Sequence, residues 1–171
     1  MINGIPTKNI CIHNLRSKIV TIPQEFVTWN GSIRYNLDPE SKFDDPEIWA
    51  VLKSSGICTK HIENGLDTEI ESCGLSAGEK QLLCFCRALL GVRFKGSDIV
   101  VMDEPAATVD SVNFERVRGL IDSEFGDKTV IVVTHRLEAL QDFDRVLVMN
   151  GGFLMEIEDL SNVNSTVLKY L

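Results

Sequence analysis

The chain has 171 residues, 44% of them apolar, and 17 Lys and Arg against 25 Asp and Glu leave a formal net charge of −8. That size and apolar content fit one compact domain with a core of its own. The acid excess argues against a general nucleic-acid binder, whose surface is positive, and no apolar run approaches the length of a membrane span.

Residues 1–6, MINGIP, lack the basic start and longer apolar region of a signal peptide. Asn3-Gly4 between apolar neighbours instead predicts a tight hairpin turn. Residues 19–22, IVTI, predict a strand stopped by Pro23. Asp45-Pro46 opens a helix to about Ser54, with Asp45 as its cap and Pro46 in its first turn. Ser76 opens a second helix, along which Leu82, Leu83, Cys86, Leu89 and Leu90 recur at helical spacing. Residues 99–102 make a short, wholly apolar run of the kind buried in a parallel sheet. A helix is expected over 114–125, a second buried strand over 130–133, and a closing hairpin of 145–149 with 153–157 about Asn150-Gly151-Gly152. Another helix is expected from Leu160 onward. Strands alternating with helices imply an α/β fold with a largely parallel sheet.

The cysteines, Cys11, Cys58, Cys73, Cys84 and Cys86, include no CxxC pair, and the last two fall within the apolar helical pattern. They read as reduced, mostly buried cytosolic thiols, not as a zinc site or a disulfide framework.

Ligands of open parallel sheets sit beyond the carboxyl ends of the strands, and Asp103 and Glu104 stand at such an end. Side chains alternate along a strand, so the two are expected to point different ways. One can hold a Mg²⁺ shell while the other orients and deprotonates a water. The plainer alternative, a pair of surface acids, is outweighed by the apolar strand that precedes them. Ser76-Ala77-Gly78-Glu79 is a capping box, and the free amides and dipole of such a helix start attract anions. Taken alone, it is equally a well-capped core helix. His135 follows the strand at 130–133 and is expected at the same sheet edge, where an imidazole can meet a terminal phosphate or be an ordinary polar edge residue. Gln24, directly after Pro23, can reach a metal or water through its amide, or simply be a turn residue. Asp110 is expected to cap the helix that follows it. Two aromatics, Phe26 and Trp29, fall in a loop and either meet a protein partner or pack inward. Residues 91–97, GVRFKGS, have the glycine spacing of a phosphate-binding loop but lack its lysine and precede a strand, so they read as a surface loop.

Taken in order, these pieces resemble the nucleotide-binding cassette of ABC transporters, a P-loop NTPase-like fold with a helical signature subdomain. IPQ at 22–24 resembles the Q-loop, LSAGEKQ at 75–81 the signature motif, VVMDE at 100–104 the Walker B strand, ATVD at 107–110 the D-loop and THR at 134–136 the switch histidine. LRSKIVTIPQ, GSIRYNLDP, GEKQLLCFCRALL and DRVLVMNGG look most like the second cassette of subfamily C, the multidrug-resistance-associated type.

The resemblance implies ATP and Mg²⁺ as cofactors, with Asp103 binding the metal through water, Glu104 as general base and His135 sensing the γ-phosphate. It implies that Gln24 couples the metal site to the membrane domains. Ser76 and Gly78 would contact ATP held by a second cassette in a head-to-tail pair, and Asp110 would link the two sites. The implied partners are therefore a second cassette and the transmembrane domains, with no nucleic acid. The implied place is the cytoplasmic face of a membrane, within an integral membrane transporter.

Ala77, Glu79 and Phe26 depart from the frequent glycine, glutamine and proline of the family. No phosphate-cradling Walker A loop occurs in the 171 residues. On this resemblance, that loop with its strand and helix would lie upstream of Met1, and the chain is expected to be an incomplete cassette. Residues 1–24 and 95–171 would then belong to the core sheet and 25–94 to the Q-loop and signature subdomain. The strands at 99–102 and 130–133 are expected to lose a neighbour, leaving a poorly stable fold. Two alternatives from other classes are a DNA-repair ATPase head of the SMC type and a non-enzymatic product that lends its signature helix to a partner cassette.

Overall fold

The computed structural model describes residues 1–57, 62, 64–105, 111–135, 140, 143–157 and 167, of which 111–116 and 156 by backbone alone. They fall into two compact units, Met1–Val133 and Thr134–Leu171. No described helix is long and apolar enough to cross a membrane.

The first unit carries a three-stranded parallel sheet of β1 (Ile19–Ile22), β2 (Ile99–Asp103) and β3 (Thr129–Val133), in that order. Its register sets Ile22 against Met102 and Asp103 against Val133, so the carboxyl ends of the strands lie level. Strand β2 is therefore central and keeps a neighbour on each side, which corrects the expectation that it loses one. Strand β3 stands at the edge of the described sheet, paired with β2, and what is corrected there is the expectation of a buried strand. Val130 and Val132 pack on the core, but Ile131 and Val133 are 51% and 55% exposed, so only one face is covered.

Helices α1 (Ile12–Ser17) and α2 (Ile33–Leu37) are short, and the sequence pattern gave no sign of either. Helix α3 (Asp45–Ser55) is capped by Asp44, whose side chain accepts from Glu47 N while Glu47 reaches back. The cap is thus one residue before the expected Asp45, which instead pairs with Arg34. Helix α4 (Ala77–Lys95) starts at the expected Ser76 and ends at Gly96 in the left-handed conformation, φ +65°. Residues 91–95 are its last turn, so the expected surface loop there is helix. Helix α5 (Ser111–Phe125) covers the expected 114–125.

The core forms where α4 lies on the sheet. Leu82, Leu83, Phe85, Cys86, Leu89 and Leu90 of α4 are buried together with Val100 and Met102 of β2 and Ile48, Val51 and Leu52 of α3. The approach of α4 to β1 is close: a Cβ on Gly91 would stand 2.8 Å from Val20 Cγ2.

The second unit is an antiparallel hairpin of β4 (Val146–Asn150) and β5 (Phe153–Ile157), turned through Gly151 and Gly152 at positive φ. Val146, Val148 and Ile157 are buried with Val167, and Leu140 packs on them. Leu147, Met149 and Leu154 on the other face are exposed. The helix expected from Leu160 lies outside the described residues, apart from Val167.

Candidate functional site

Because β1 and β2 run parallel and in register, Gln24 and Glu104, both two residues past the pair Ile22 and Met102, meet at the carboxyl edge of the sheet. Gln24 Nε2 donates to Glu104 Oε2 at 3.4 Å. Asp103 is the exposed last residue of β2. Glu104 has already left the strand, with φ +44°, a left-handed conformation disfavoured for a residue with a Cβ. Its N–H donates to Val133 O at 2.8 Å. The two carboxylates are therefore separated by a sharp turn as well as by the strand pleat that the sequence suggested. The carbonyl of Pro105 accepts from Gln81 Nε2 of α4. Such strained turns persist where the surroundings over-determine them, and this one is tied to β1, β3 and α4 at once.

At the N-terminus of α4, Ser76 Oγ accepts from Glu79 N at 3.2 Å. Glu79 Oε2 in turn accepts from Ser76 N at 3.0 Å and from the Ser76 hydroxyl at 2.8 Å. The capping box read from the sequence is complete. Its consequence is that a carboxylate of the chain itself occupies the positive end of the helix dipole beside Gly78.

His135 is exposed and follows β3 by two residues, within the second unit. Asp110, with the rest of ATVD, lies outside the described residues. Two polar residues that sequence reasoning passed over hold this region together. Gln81 is 3% exposed on α4, four residues before the buried Phe85. A polar residue at core spacing was the signal for it. Arg87 gave no signal in the sequence. Its guanidinium donates to Asn36 O and Val27 O and lies 4.3 Å from the Trp29 ring centre. Asn36 is wholly buried, and its amide clamps the backbone N–H and C=O of Trp29, each at 2.8 Å. The loop from Gln24 to Ser32 is thereby fastened to α2 and α4. Trp29 stays 42% exposed, while Phe26 is half-buried.

No family model matches the chain. It is 38% identical over 160 residues to the ATP-binding cassette sub-family C member 2 of Homo sapiens, a match covering 91% of this chain and 10% of that protein. It is 35% identical over 166 residues to the ATP-binding cassette sub-family C member 3 of Rattus norvegicus, covering 95% of this chain and 11% of that protein. The chain belongs to the ATP-binding cassette proteins of subfamily C. A third member of the subfamily, the ABC transporter C family member 8 of Dictyostelium discoideum, is 35% identical over 166 residues, 95% of this chain and 10% of its own length. The cassette chain thus spans about a tenth of the length of the relatives it matches.

Among its described residues no three His, Cys, Asp or Glu side chains cluster as a metal cage. Mg²⁺ does not need one. It takes hard oxygen donors, commonly one or two carboxylates, and fills its octahedron with waters and phosphate oxygens. The carboxylates of Asp103 and Glu104 with the amide of Gln24 suit that pattern.

Proposed function

We propose that this chain is the part of an ATP-hydrolysing transport cassette that runs from the Q-loop strand past the switch histidine, in an exporter at the cytoplasmic face of a membrane. The contact that carries the proposal is Gln24 on Glu104 at the carboxyl edge of the parallel sheet. It joins, across 80 residues of sequence, the two residues assigned to metal coupling and to proton transfer.

In this scheme Glu104 is the general base: its carboxylate accepts a proton from the attacking water. Gln24 orients that carboxylate and contributes to the metal site. Asp103 holds Mg²⁺ through water, and the ion, when bound, neutralises charge building on the phosphates. His135 contacts the γ-phosphate. Ser76 and Gly78 present the start of α4 to ATP on a second cassette arranged head to tail, and Asp110 joins the two sites. Residues 25–94 act as the signature subdomain against a core sheet contributed by 1–24 and 95–171.

Glu79 sharpens the trans contact. A phosphate approaching Ser76 meets a carboxylate already bound there, so docking requires that carboxylate to swing away.

The test is ATP hydrolysis by the complete transporter with its membrane domains and partner cassette. Glu104→Gln keeps size and hydrogen bonding but removes the base, and is expected to lower kcat by about 10²-fold or more while ATP still binds. The 171 residues, having no phosphate loop, are expected to bind ATP weakly on their own and not to turn it over. Robust hydrolysis by this purified chain, lost on Glu104→Gln, would overturn that reading.

A further inference from the structure

We propose that Gln81 is a positioning residue, whose amide on the carbonyl of Pro105 ties the signature helix to the turn bearing Asp103 and Glu104. The proposal rests on the cassette reading above. Gln81 is almost completely buried, and its Nε2 donates to Pro105 O. Its other end finds no such use: Oε1 is buried and meets no hydrogen-bond donor among the described residues. The bond to Pro105 O is set against that unused oxygen, whereas a leucine here would fill similar space with no polar atom of its own but would leave the buried Pro105 carbonyl without this donor. The net gain in stability from glutamine at this position is therefore small. What glutamine supplies is a directed N–H.

The place that N–H reaches gives it meaning. Pro105 directly follows Glu104, whose left-handed backbone costs energy to hold. Two tethers on the turn come from the sheet side: Val133 O takes the Glu104 N–H, and Gln24, just past β1, touches its carboxylate. Gln81 is a tether from the helix. It stands five residues after Ser76, roughly 7 Å along the axis, and the box at Ser76 and Glu79 keeps that stretch rigid. A rotation or slide of the first turn of α4 is thus passed to Pro105 and on to Glu104. The helix start that serves a nucleotide on the partner cassette is mechanically joined to the base that serves this cassette's own nucleotide.

The experiment is steady-state ATP hydrolysis and thermal unfolding of the complete transporter carrying Gln81→Leu, Gln81→His or Glu104→Gln. Gln81→Leu removes the donor at similar volume. Its kcat is expected to fall about tenfold, the range of one lost hydrogen bond, with KM for ATP unchanged and thermal stability changed little, the lost bond to Pro105 O being set against removal of the unused amide oxygen. Gln81→His restores an N–H at similar reach and is expected to recover most of the turnover. Wild-type kcat in Gln81→Leu, an equal defect in Gln81→His, or a leucine variant that does not fold each overturns the proposal. If hydrolysis proves insensitive to Glu104→Gln, the cassette assignment of the site itself fails. Sensitivity to Glu104→Gln but not to Gln81→Leu sinks only the role of Gln81.

Discussion

Replacing Arg87 by methionine keeps most of the apolar stem and removes the guanidinium. In the native fold that group donates to Asn36 O and to Val27 O, the latter at 2.7 Å, and lies 3.3 Å from Asn36 Oδ1 and 4.3 Å from the Trp29 ring centre. Burial pulls the Arg87 pKa down, opposed by the neighbouring Cys84 and Cys86, so the charge has given up part of its hydration. That loss offsets some of what the bonds gain. A hydrogen bond from a charged donor is worth about 1.5–3 kcal/mol net, and a buried carbonyl left alone costs about 1–3 kcal/mol. The stacked cation adds about 0.5–1 kcal/mol. With the regained hydration set against these, the variant is expected to lose about 2–4 kcal/mol. At about 2–4 °C per kcal/mol for a chain of this size, Tm falls by roughly 4–16 °C. Arg87→Lys is expected to recover less than half, because an ammonium lacks the planar fork that serves two carbonyls at once. Far-UV circular dichroism in a thermal ramp and in urea measures both. A loss below about 1 kcal/mol with an unchanged urea m-value would refute the reasoning.

Gly91→Ala places a methyl 2.8 Å from the stiff Val20 side chain, and is expected to cost about 1–3 kcal/mol. The companion change Val20→Ala should recover part of it; independent, additive losses would show that the close approach is not the cause. Ser76→Ala removes the cap of α4 and is expected to cost about 1 kcal/mol in denaturant titrations, while Lys80→Ala, a residue outside the box, costs almost nothing. Burial pushes the Cys86 thiol up to about 12 from an ordinary 9.0. Between those values the unfolded thiol has lost its proton and the folded one has kept it. Stability is therefore complete below pH 9 and declines above it, by about 1.4 kcal/mol per pH unit for this group. Cys73 and Cys84 shift in the same direction through burial. Cys86→Ala should make the alkaline slope shallower, and an unaltered slope would assign it to other groups.

What the sequence made legible was local or periodic. The box at Ser76 and Glu79, the apolar run of β2 and the glycine turn between β4 and β5 each rest on neighbours a few residues apart. The cap of α3 was misplaced by one residue because Asp44 and Asp45 are chemically identical, and only backbone geometry decides which one accepts from the helix. Helix α2 was missed because five residues span barely more than one turn, too few to show a period. The strand β3 looked buried because both its faces are aliphatic, and no pattern of residue types reports which face is covered. The contacts that assemble the site were beyond reach for another reason. Gln24 with Glu104, Gln81 with Pro105 and Arg87 with Asn36 are separated by 80, 24 and 51 residues. They follow from sheet order and helix placement, which exist only once the chain has folded.

The stack of Arg87 on Trp29 also gives the protein an optical handle. The chain has two tryptophans. Trp49, on α3, is packed against the core, whereas Trp29 is half in water beneath a cation. Their emission should separate, the core indole to the blue and the loop indole to the red. Among the described residues, the loop indole is the one with a cation over its ring, and that cation can leave it. Movement of the Gln24 loop can therefore be followed as a change in the red component against an internal blue reference, with no label attached.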